Sequence, residues 1–471
     1  MEEILTMPAC DVVSLLRQNK VSPMELIDMA AARIQEVDGQ INAVPTLCIE
    51  RAKTKAKEMK AGQRSDSPPN YLHGLPILVK DLTEVEGVKT TFGSPIFKDN
   101  VPSYSNYLVE TLEKNGAIVI GKTNTPEFGA GGNTFNEVFG PTLNPWNTAM
   151  TAGGSSGGSA AALAAGEIWL ATGNDLAGSL RTPAGFCSVV GFRPSPGRIA
   201  SGPSPVIFNP LGIEGPMGRC VKDVALMMDA QVGYHPGDPL SLPKPSYSFL
   251  EVAQQYRKPS KIAYSVDLGG ITPVEKDVAV IFKQSVETLA GDIDVEAACP
   301  DLKNVNFVFH TLRAVMLAQR FGPLLKSHRE LFKPELIWNI EKGMNLSMDE
   351  IGEAEQMRAQ IYQSVVKFFE TYDLLICPTS ATLPFDVSTR YLEELEGKVF
   401  DNYIDWLTIV YAITTTACPC ISIPCGFSSA GLPVGLQIVG PPRRDDIVIG
   451  AAAGFEKIFN LNRLTPIDPR H

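Results

Sequence analysis

The sequence predicts an α/β protein with a twisted, mixed and largely parallel central sheet that is covered by helices on both faces. One observation is the alternation of short apolar runs, which are typical of buried strands, with longer segments of helical pattern. A second is the composition, because 44% hydrophobic and 20% charged residues are ordinary for a globular chain. At 471 residues the chain can bury a large core, and length alone favours two or three domains.

The first 60 residues are predicted to form helices that serve as scaffold. Ser22 is a typical N-cap, Pro23 suits the first helical position, and Glu25 completes a capping box. The helical pattern continues through residues 30–37. A polar, proline-rich stretch at residues 62–70 then predicts an exposed loop before the first strand.

Local patterns also predict the elements of the remaining chain. Short apolar runs predict strands at 75–79, 117–120, 261–265, 374–377, 420–424 and 436–439. Helical patterns predict helices at 107–114, 275–290, 308–328, 347–371 and 446–459. The 107–114 helix is followed by Asn115-Gly116, which is a left-handed stop signal, and the 347–371 helix opens with a capping box.

Two clusters of glycine and serine stand out. The first, residues 153–159, is rich in glycine, which lets a backbone approach a ligand closely, and it carries the adjacent hydroxyls of Ser155 and Ser156. Most such stretches are linkers, but the small helix formers at 159–165 follow directly and argue for a packed helix N-terminus. The second cluster, residues 173–179, predicts a turn whose consecutive N–H groups converge in front of a serine hydroxyl, as in an oxyanion hole.

Together these motifs resemble the amidase signature family. The resemblance rests on GGSSGGS at 153–159, on Ser179 in the second cluster, and on GLPILVKD at 74–81. Further similar segments lie at 121–128, 139–146 and 431–437, so that most of the chain is covered and residues 235–370 are the least similar part. Asn174 stands where most members have Thr or Ser, and Ala177 stands where many have Gly, which bears on specificity and not on reaction type.

The resemblance implies one large amidase signature domain over residues 1–471, in place of the two or three domains that length favours. Its parts would be N-terminal helices at 1–60, a signature core at 70–235, a variable substrate-side region at 236–370 and a return to the core at 371–471.

A serine nucleophile needs a base, and histidine is the familiar one. None of the five histidines lies in a recognisable catalytic setting: His73, His235, His310, His328 and His471. Lys80 ends an apolar strand candidate, where burial favours the neutral amine. The resemblance assigns Ser179 as the acylated nucleophile, Ser155 as a bridging serine after a cis peptide bond, and Lys80 as the base. We expect Asp81 to point away from Lys80, because successive strand side chains face opposite sides.

The resemblance also assigns supporting groups. The oxyanion would be held by the backbone N–H groups of Leu176, Ala177, Gly178 and Ser179. The loop over the acyl side would be Gly129, Ala130, Gly131 and Gly132. Asp175 and Arg181 are expected to brace the nucleophile turn by charge pairing, and Ser156 to support the site.

Composition and charge favour a cytoplasmic protein without nucleic-acid or membrane partners. The net charge is −11 and basic residues are scattered, so there is little support for phosphate-backbone binding. The N-terminus lacks a signal-peptide pattern, and no apolar stretch is long enough to span a membrane. The nine cysteines lack ligand-like spacing and are expected to be reduced; no metal and no organic cofactor is predicted.

The sequence therefore predicts an amidase that hydrolyses a small amide, with a neutral or hydrophobic aryl or alkyl acylamide as the expected substrate. This expectation rests on the open loop at 129–132 and on the lack of a basic cluster for a substrate carboxylate. Two alternatives stay open: the glutaminase subunit of a tRNA-dependent amidotransferase, and a non-enzymatic binding protein. A homodimer also stays open.

Overall fold

The computed structural model describes residues 2–59, 68 and 70–471, which form a single α/β domain. Its helices are α1 (Glu2–Thr6), α2 (Ala9–Arg17), α3 (Pro23–Ile41), α4 (Ile49–Glu58), α5 (Tyr107–Lys114), α6 (Gly157–Ala164), α7 (Arg181–Cys187), α8 (Val221–Gln231), α9 (Phe249–Gln254), α10 (Lys276–Ala290), α11 (Val305–His328), α12 (Pro334–Asn345), α13 (Met348–Phe368), α14 (Thr408–Thr415) and α15 (Asp445–Phe459). Its strands are β1 (Thr46–Leu47), β2 (Pro76–Lys80), β3 (Ile118–Thr123), β4 (Leu143–Asn144), β5 (Asn147–Thr151), β6 (Leu170–Asp175), β7 (Val190–Arg193), β8 (Ile213–Gly218), β9 (Lys261–Tyr264), β10 (Asp294–Ala297), β11 (Leu374–Pro378), β12 (Glu394–Leu395), β13 (Lys398–Val399), β14 (Cys420–Phe427) and β15 (Pro433–Val439).

Within the described residues, eleven of these strands form one sheet in the order β1-β3-β2-β6-β8-β7-β14-β15-β11-β9-β10. Pairing is parallel from β3 through β2 to β6 and again from β11 through β9 to β10. The strands between these two groups, and β1 at the edge, pair antiparallel. The predicted mixed α/β sheet is confirmed, and its antiparallel middle is larger than the sequence indicated.

The predicted capping boxes and strands agree with the structure. Ser22 and Ser347 each accept from the backbone N–H three residues later, and Glu25 and Glu350 each reach back to the N-cap backbone. All six predicted strands are present as β2, β3, β9, β11, β14 and β15, with bounds shifted by up to three residues. The predicted loop at 62–70 lies largely outside the described residues. The short strand β1 interrupts the N-terminal helices and was not predicted.

The glycine- and alanine-rich helix α6 lies in the core because its small side chains permit close contact. All eight of its residues are buried. A Cβ on Gly158 would lie 2.3 Å from the backbone nitrogen of Asn124, so only glycine fits at this approach. The helix contacts β2, β3 and β6 of the sheet. Ser155, which lies just before the helix, contacts Lys80 at the end of β2.

Candidate active site

Lys80 lies at the C-terminal end of β2 and is fully buried. Its Nζ lies 2.6 Å from Ser155 Oγ, 2.9 Å from Ser156 Oγ and 2.7 Å from Asn174 Oδ1. None of these three partners carries a charge. The amine is therefore surrounded by neutral hydrogen-bonding groups. Its distance from the Ser155 hydroxyl allows direct transfer of a proton between the two.

Burial lowers the pKa of Lys80 to about 7, against the smaller opposing effects of Glu214 and Asp175. Asp81, the adjacent residue, is directed elsewhere. Its Oδ2 accepts from the Thr91 hydroxyl at 2.5 Å, and its Oδ1 lies 3.7 Å from Lys122 Nζ. The expectation that Asp81 points away from Lys80 is confirmed. With a pKa of about 7, a substantial fraction of Lys80 is in the neutral amine form near neutral pH.

Ser155 connects Lys80 to the second glycine cluster. The Gly154–Ser155 peptide bond is cis, as the resemblance implied. The backbone N–H of Ser156 donates to the Ser179 carbonyl at 3.2 Å, which joins the two clusters directly. Ser155 and Ser179 line the same cavity. The structure thus brings the three predicted catalytic residues into one site.

The nucleophile turn is held by Asp175 from within. Asp175 Oδ1 accepts from the Gly178 N–H at 2.9 Å, and Oδ2 accepts from the Leu180 N–H at 3.2 Å. The Gly178 N–H is therefore already engaged, which corrects its expected place among the oxyanion donors. In the described part of the chain the N–H groups of Leu176, Ala177 and Ser179 make no hydrogen bond, and they stay candidates for that role.

The predicted pairing of Asp175 with Arg181 is present and fully buried. Arg181 Nε and Nη2 each lie 3.0 Å from a different carboxylate oxygen of Asp175. Arg193 approaches the same carboxylate at 3.4 Å. Burial acts to raise the pKa of Asp175, but the two guanidinium groups and the turn N–H groups outweigh it and hold that pKa below its ordinary value. The turn before Ser179 is thus fixed by an ion-pair network.

The loop predicted to cover the acyl side divides in two. Gly129 and Ala130 line the cavity, whereas Gly131 and Gly132 do not. A Cβ on Gly132 would lie 2.3 Å from the Trp406 ring, so this glycine permits packing against the indole. Gly129 has a φ of 70°, which favours glycine, and a Cβ there would lie 2.6 Å from Leu82 Cδ1. The same Cβ position is 3.5 Å from Ser155 Oγ, so the loop runs beside the bridging serine.

The cavity has a volume of about 200 Å³. Asn174, which the sequence analysis related to specificity, lines it together with three groups that sequence reasoning missed: Glu214, Arg313 and Arg320. Glu214 lies directly across from Asn174 in the antiparallel pair of β6 and β8. Burial raises the pKa of Glu214 to about 7, and the charge of Lys80 acts in the opposite direction. The signal that could have indicated the arginines is their spacing of seven residues in α11, which places them two turns apart on the same face of the helix.

The described residues contain neither a metal-binding cluster nor a membrane-spanning helix. No three His, Cys, Asp or Glu side chains there come together in a group that could hold a metal ion. None of the helices in the described ranges has an apolar stretch long enough to cross a bilayer.

Comparisons with known proteins identify the family of the chain. The amidase family model matches residues 25–449. An acylamidase of Rhodococcus erythropolis is 33% identical over 455 residues, which cover 96% of this chain and 95% of that protein. A glutamyl-tRNA(Gln) amidotransferase subunit of Thermodesulfovibrio yellowstonii is 32% identical over 494 residues, covering 99% and 100% of the two chains. A crystal structure of a bacterial aryl acylamidase is 28% identical with a TM-score of 0.89, covering 98% of this chain and 99% of that one.

The family match spans nearly the whole chain, and the relatives share both sequence and fold over their full length. The chain therefore belongs to the amidase signature family of amide hydrolases.

Proposed function

We propose that the chain hydrolyses the carbon–nitrogen bond of a small aryl or alkyl acylamide through an acyl-enzyme on Ser179, which yields an acid and an amine or ammonia. The observation that carries the proposal is the 2.6 Å contact between Lys80 Nζ and Ser155 Oγ, in a site whose cavity also contains Ser179. The names of two relatives, an acylamidase and an aryl acylamidase, support the acylamide as the substrate class.

In the proposed reaction, neutral Lys80 takes a proton from Ser155, and Ser155 takes one from Ser179 as it attacks the amide carbonyl. The developing oxyanion is stabilised by the candidate N–H donors of Leu176, Ala177 and Ser179, an effect of about 3 to 4 kcal/mol for a key donor. The proton returns through Ser155 to the leaving amine, and water then releases the acid. Apart from the substrate and the hydrolytic water, the proposed reaction uses only side chains and backbone of this chain.

One of the two premises for a neutral or hydrophobic substrate does not hold in the structure. That premise was the lack of a basic cluster for a substrate carboxylate, and the cavity is lined by both Arg313 and Arg320. The proposal therefore specifies that the scissile bond is an amide. It does not specify whether the acyl and amine parts of the substrate are charged, which depends on the residues that line the cavity.

The experiment is to compare the wild type with Ser179→Ala on a panel of anilides, fatty amides, short amides and glutamine. We expect the wild type to cleave anilides and to be labelled by a serine-reactive fluorophosphonate, and the variant to lose both turnover and label. Full activity in Ser179→Ala would remove the proposed nucleophile. An unlabelled wild type that cleaves nothing would favour a binding protein instead.

The similarity to an amidotransferase subunit supports a second candidate, the glutaminase component of such an enzyme. Ammonia release from glutamine in preference to anilides, together with co-purification of a second protein chain, would support that candidate over the acylamidase.

A further inference from the structure

Arg313 is a buried cation in the wall of the active-site cavity. It belongs to α11, is 4% exposed and lines the same cavity as Ser179. Its Nη2 donates a hydrogen bond of 2.8 Å to the Tyr403 hydroxyl, and its guanidinium carbon lies 5.3 Å from the centre of the Tyr403 ring. Nε and Nη1 have no hydrogen-bond partner among the described residues and are covered from water.

Such an environment is costly for a guanidinium. An arginine side chain has five N–H donors and stays protonated in proteins, so it cannot relieve burial by losing its charge. Buried charges are normally paired, because a buried charge has lost its hydration and apolar atoms do not compensate for that loss. In the described part of the chain Arg313 forms no ion pair with a carboxylate, and a hydroxyl and an aromatic ring leave its charge unmatched.

The surroundings of Arg313 add positive charge. Lys333 contacts the carbonyl of Ala130 in the acyl-side loop. Burial lowers the pKa of Lys333 to about 8, and Arg390 and Arg313 act in the same direction, against Glu127 and Glu335. Arg390 itself is matched by Glu335 through contacts of 2.7 and 2.9 Å. Lys333 and Arg390 lie outside the cavity lining, where the described residues place two cations, Arg313 and Arg320. Arg320 interacts with the charges of Glu84 and Glu214, which leaves Arg313 as the lining cation whose charge is unmatched.

The carboxylates of the cavity have other partners. Asp238 accepts from the backbone N–H groups of Ser201 and Leu240 at 3.0 and 2.9 Å. The charge of Glu214 interacts with Lys80 and Arg320. Glu84 accepts from the Tyr104 hydroxyl at 3.2 Å, and Asp175 is paired with Arg181 and Arg193. None of these cavity carboxylates forms an ion pair with Arg313 in the described residues, so its guanidinium keeps unused N–H donors.

We propose that Arg313 binds a substrate carboxylate that is separate from the scissile amide group. The enzyme would then be selective for acylamides that contain a carboxylate. This inference rests on the proposed amide hydrolysis. The planar guanidinium matches a carboxylate with two parallel hydrogen bonds, and a turn of the side chain toward the cavity frees the donors that protein atoms now cover.

The experiment uses two matched pairs of anilides, because the carboxylate could lie on either part of the substrate. Succinanilic acid has it on the acyl part, and its partner has an isopropyl group in place of the carboxylate. Para-acetamidobenzoate has it on the amine part, with para-isopropylacetanilide as its partner. In the wild type we expect a higher kcat/KM for the carboxylate member of one pair, and the pair that shows it identifies the part that Arg313 recognises.

Arg313→Met should lower the ratio of kcat/KM between the preferred carboxylate and its isopropyl partner by about 10- to 100-fold, as for the loss of hydrogen bonds to a charged group. Arg313→Lys retains the charge without the planar donors, so its kcat/KM for the carboxylate should lie between those of the wild type and Arg313→Met. An intermediate value also shows that the effect in Arg313→Met is not simply a defect in folding. Arg329→Met is the matched control, because Arg329 is exposed and paired with Glu341 outside the cavity. A wild type that prefers both isopropyl partners, or an Arg313→Met enzyme with unchanged selectivity, would overturn the inference.

A binding measurement separates this inference from the proposed function. Titration calorimetry of succinanilic acid and para-acetamidobenzoate into Ser179→Ala protein, with and without Arg313→Met, requires no turnover. Binding that depends on Arg313 would support the carboxylate site even if the wild type cleaved none of the anilides. Anilide turnover without carboxylate selectivity or Arg313-dependent binding would refute the site and leave the amidase proposal intact.

Discussion

The titration of Lys80 is the most direct test of the proposed mechanism. Only the neutral amine can accept a proton, and burial lowers the pKa of Lys80 from 10.5 to about 7. The value of kcat/KM should therefore rise with pH and reach half of its plateau near pH 7. Below the midpoint it should fall about tenfold per pH unit, to about 1% of the plateau at pH 5.

Glu214 complicates the wild-type profile because it titrates in the same range and faces the same cavity. The observed midpoint then belongs to the pair and not to Lys80 alone. Glu214→Gln removes the second titration. It also removes a negative charge that stabilises the Lys80 ammonium, so the rise of kcat/KM should move to lower pH in this variant.

The same pKa difference has a consequence for stability. At about 1.36 kcal/mol per pKa unit, burial disfavours the Lys80 ammonium by about 5 kcal/mol. The folded protein binds fewer protons at this site than the unfolded chain between about pH 7 and 10.5, so the contribution of Lys80 to stability improves as pH rises through that window. In the Glu214→Gln background, the difference in unfolding free energy between Lys80→Met and its parent should therefore shift by about 2 to 3 kcal/mol in favour of the parent between pH 8 and 10.

The assay is a set of initial-rate profiles from pH 5 to 10 on one anilide, with fluorophosphonate labelling of Ser179 followed over the same range. Lys80→Met should lose about 10²- to 10⁴-fold in rate, the range typical of a general base. Lys80→Arg should not restore activity, because a guanidinium stays protonated. A flat profile, or an active Lys80→Arg enzyme, would refute the assignment of Lys80 as the base.

Two further predictions concern residues beside the proposed catalytic groups. Asn174→Asp places a carboxylate of nearly the same shape 2.7 Å from Lys80 Nζ, so the pKa of Lys80 should rise and the kcat/KM profile should move to higher pH; an unmoved or acid-shifted profile would contradict the contact. Asp175→Asn leaves Arg181 and Arg193 buried without their carboxylate, so chemical denaturation should show a loss of about 3 to 5 kcal/mol, and a loss below about 1 kcal/mol would show that the network does not hold the turn.

The part of the site that could be predicted from sequence is the part whose chemistry is local. Glycines next to serines indicate a backbone that comes close to a ligand, as around Ser155. A lysine at the end of an apolar run indicates a buried amine, as at Lys80. Both predictions need only a few adjacent residues. The pair formed by Asn174 and Glu214 could not be predicted in this way. It depends on the antiparallel register of β6 and β8, which lie far apart in the chain.

Arg313 was missed for a related reason. A largely apolar helix such as α11 is typical of core, and an arginine in such a helix is in most proteins neutralised by a carboxylate that the sequence does not locate. The structure is needed to show that Arg313 lies beside Tyr403 in the cavity wall and that its Nε and Nη1 have no carboxylate partner among the described residues. The antiparallel middle of the sheet was underestimated because pairing direction depends on long-range contacts and not on the apolar runs themselves.

The contrast between Lys80 and Lys122 shows why environment, and not residue type, distinguishes a base from a structural cation. Both are fully buried, and they lie on the neighbouring strands β2 and β3. Burial lowers the pKa of both ammonium groups, but Asp81 Oδ1 lies 3.7 Å from Lys122 Nζ and opposes that effect. Lys122 would therefore give up an ion pair on losing its proton. Lys80 has three uncharged partners, so it alone of the two can become neutral near pH 7 without leaving a carboxylate unpaired.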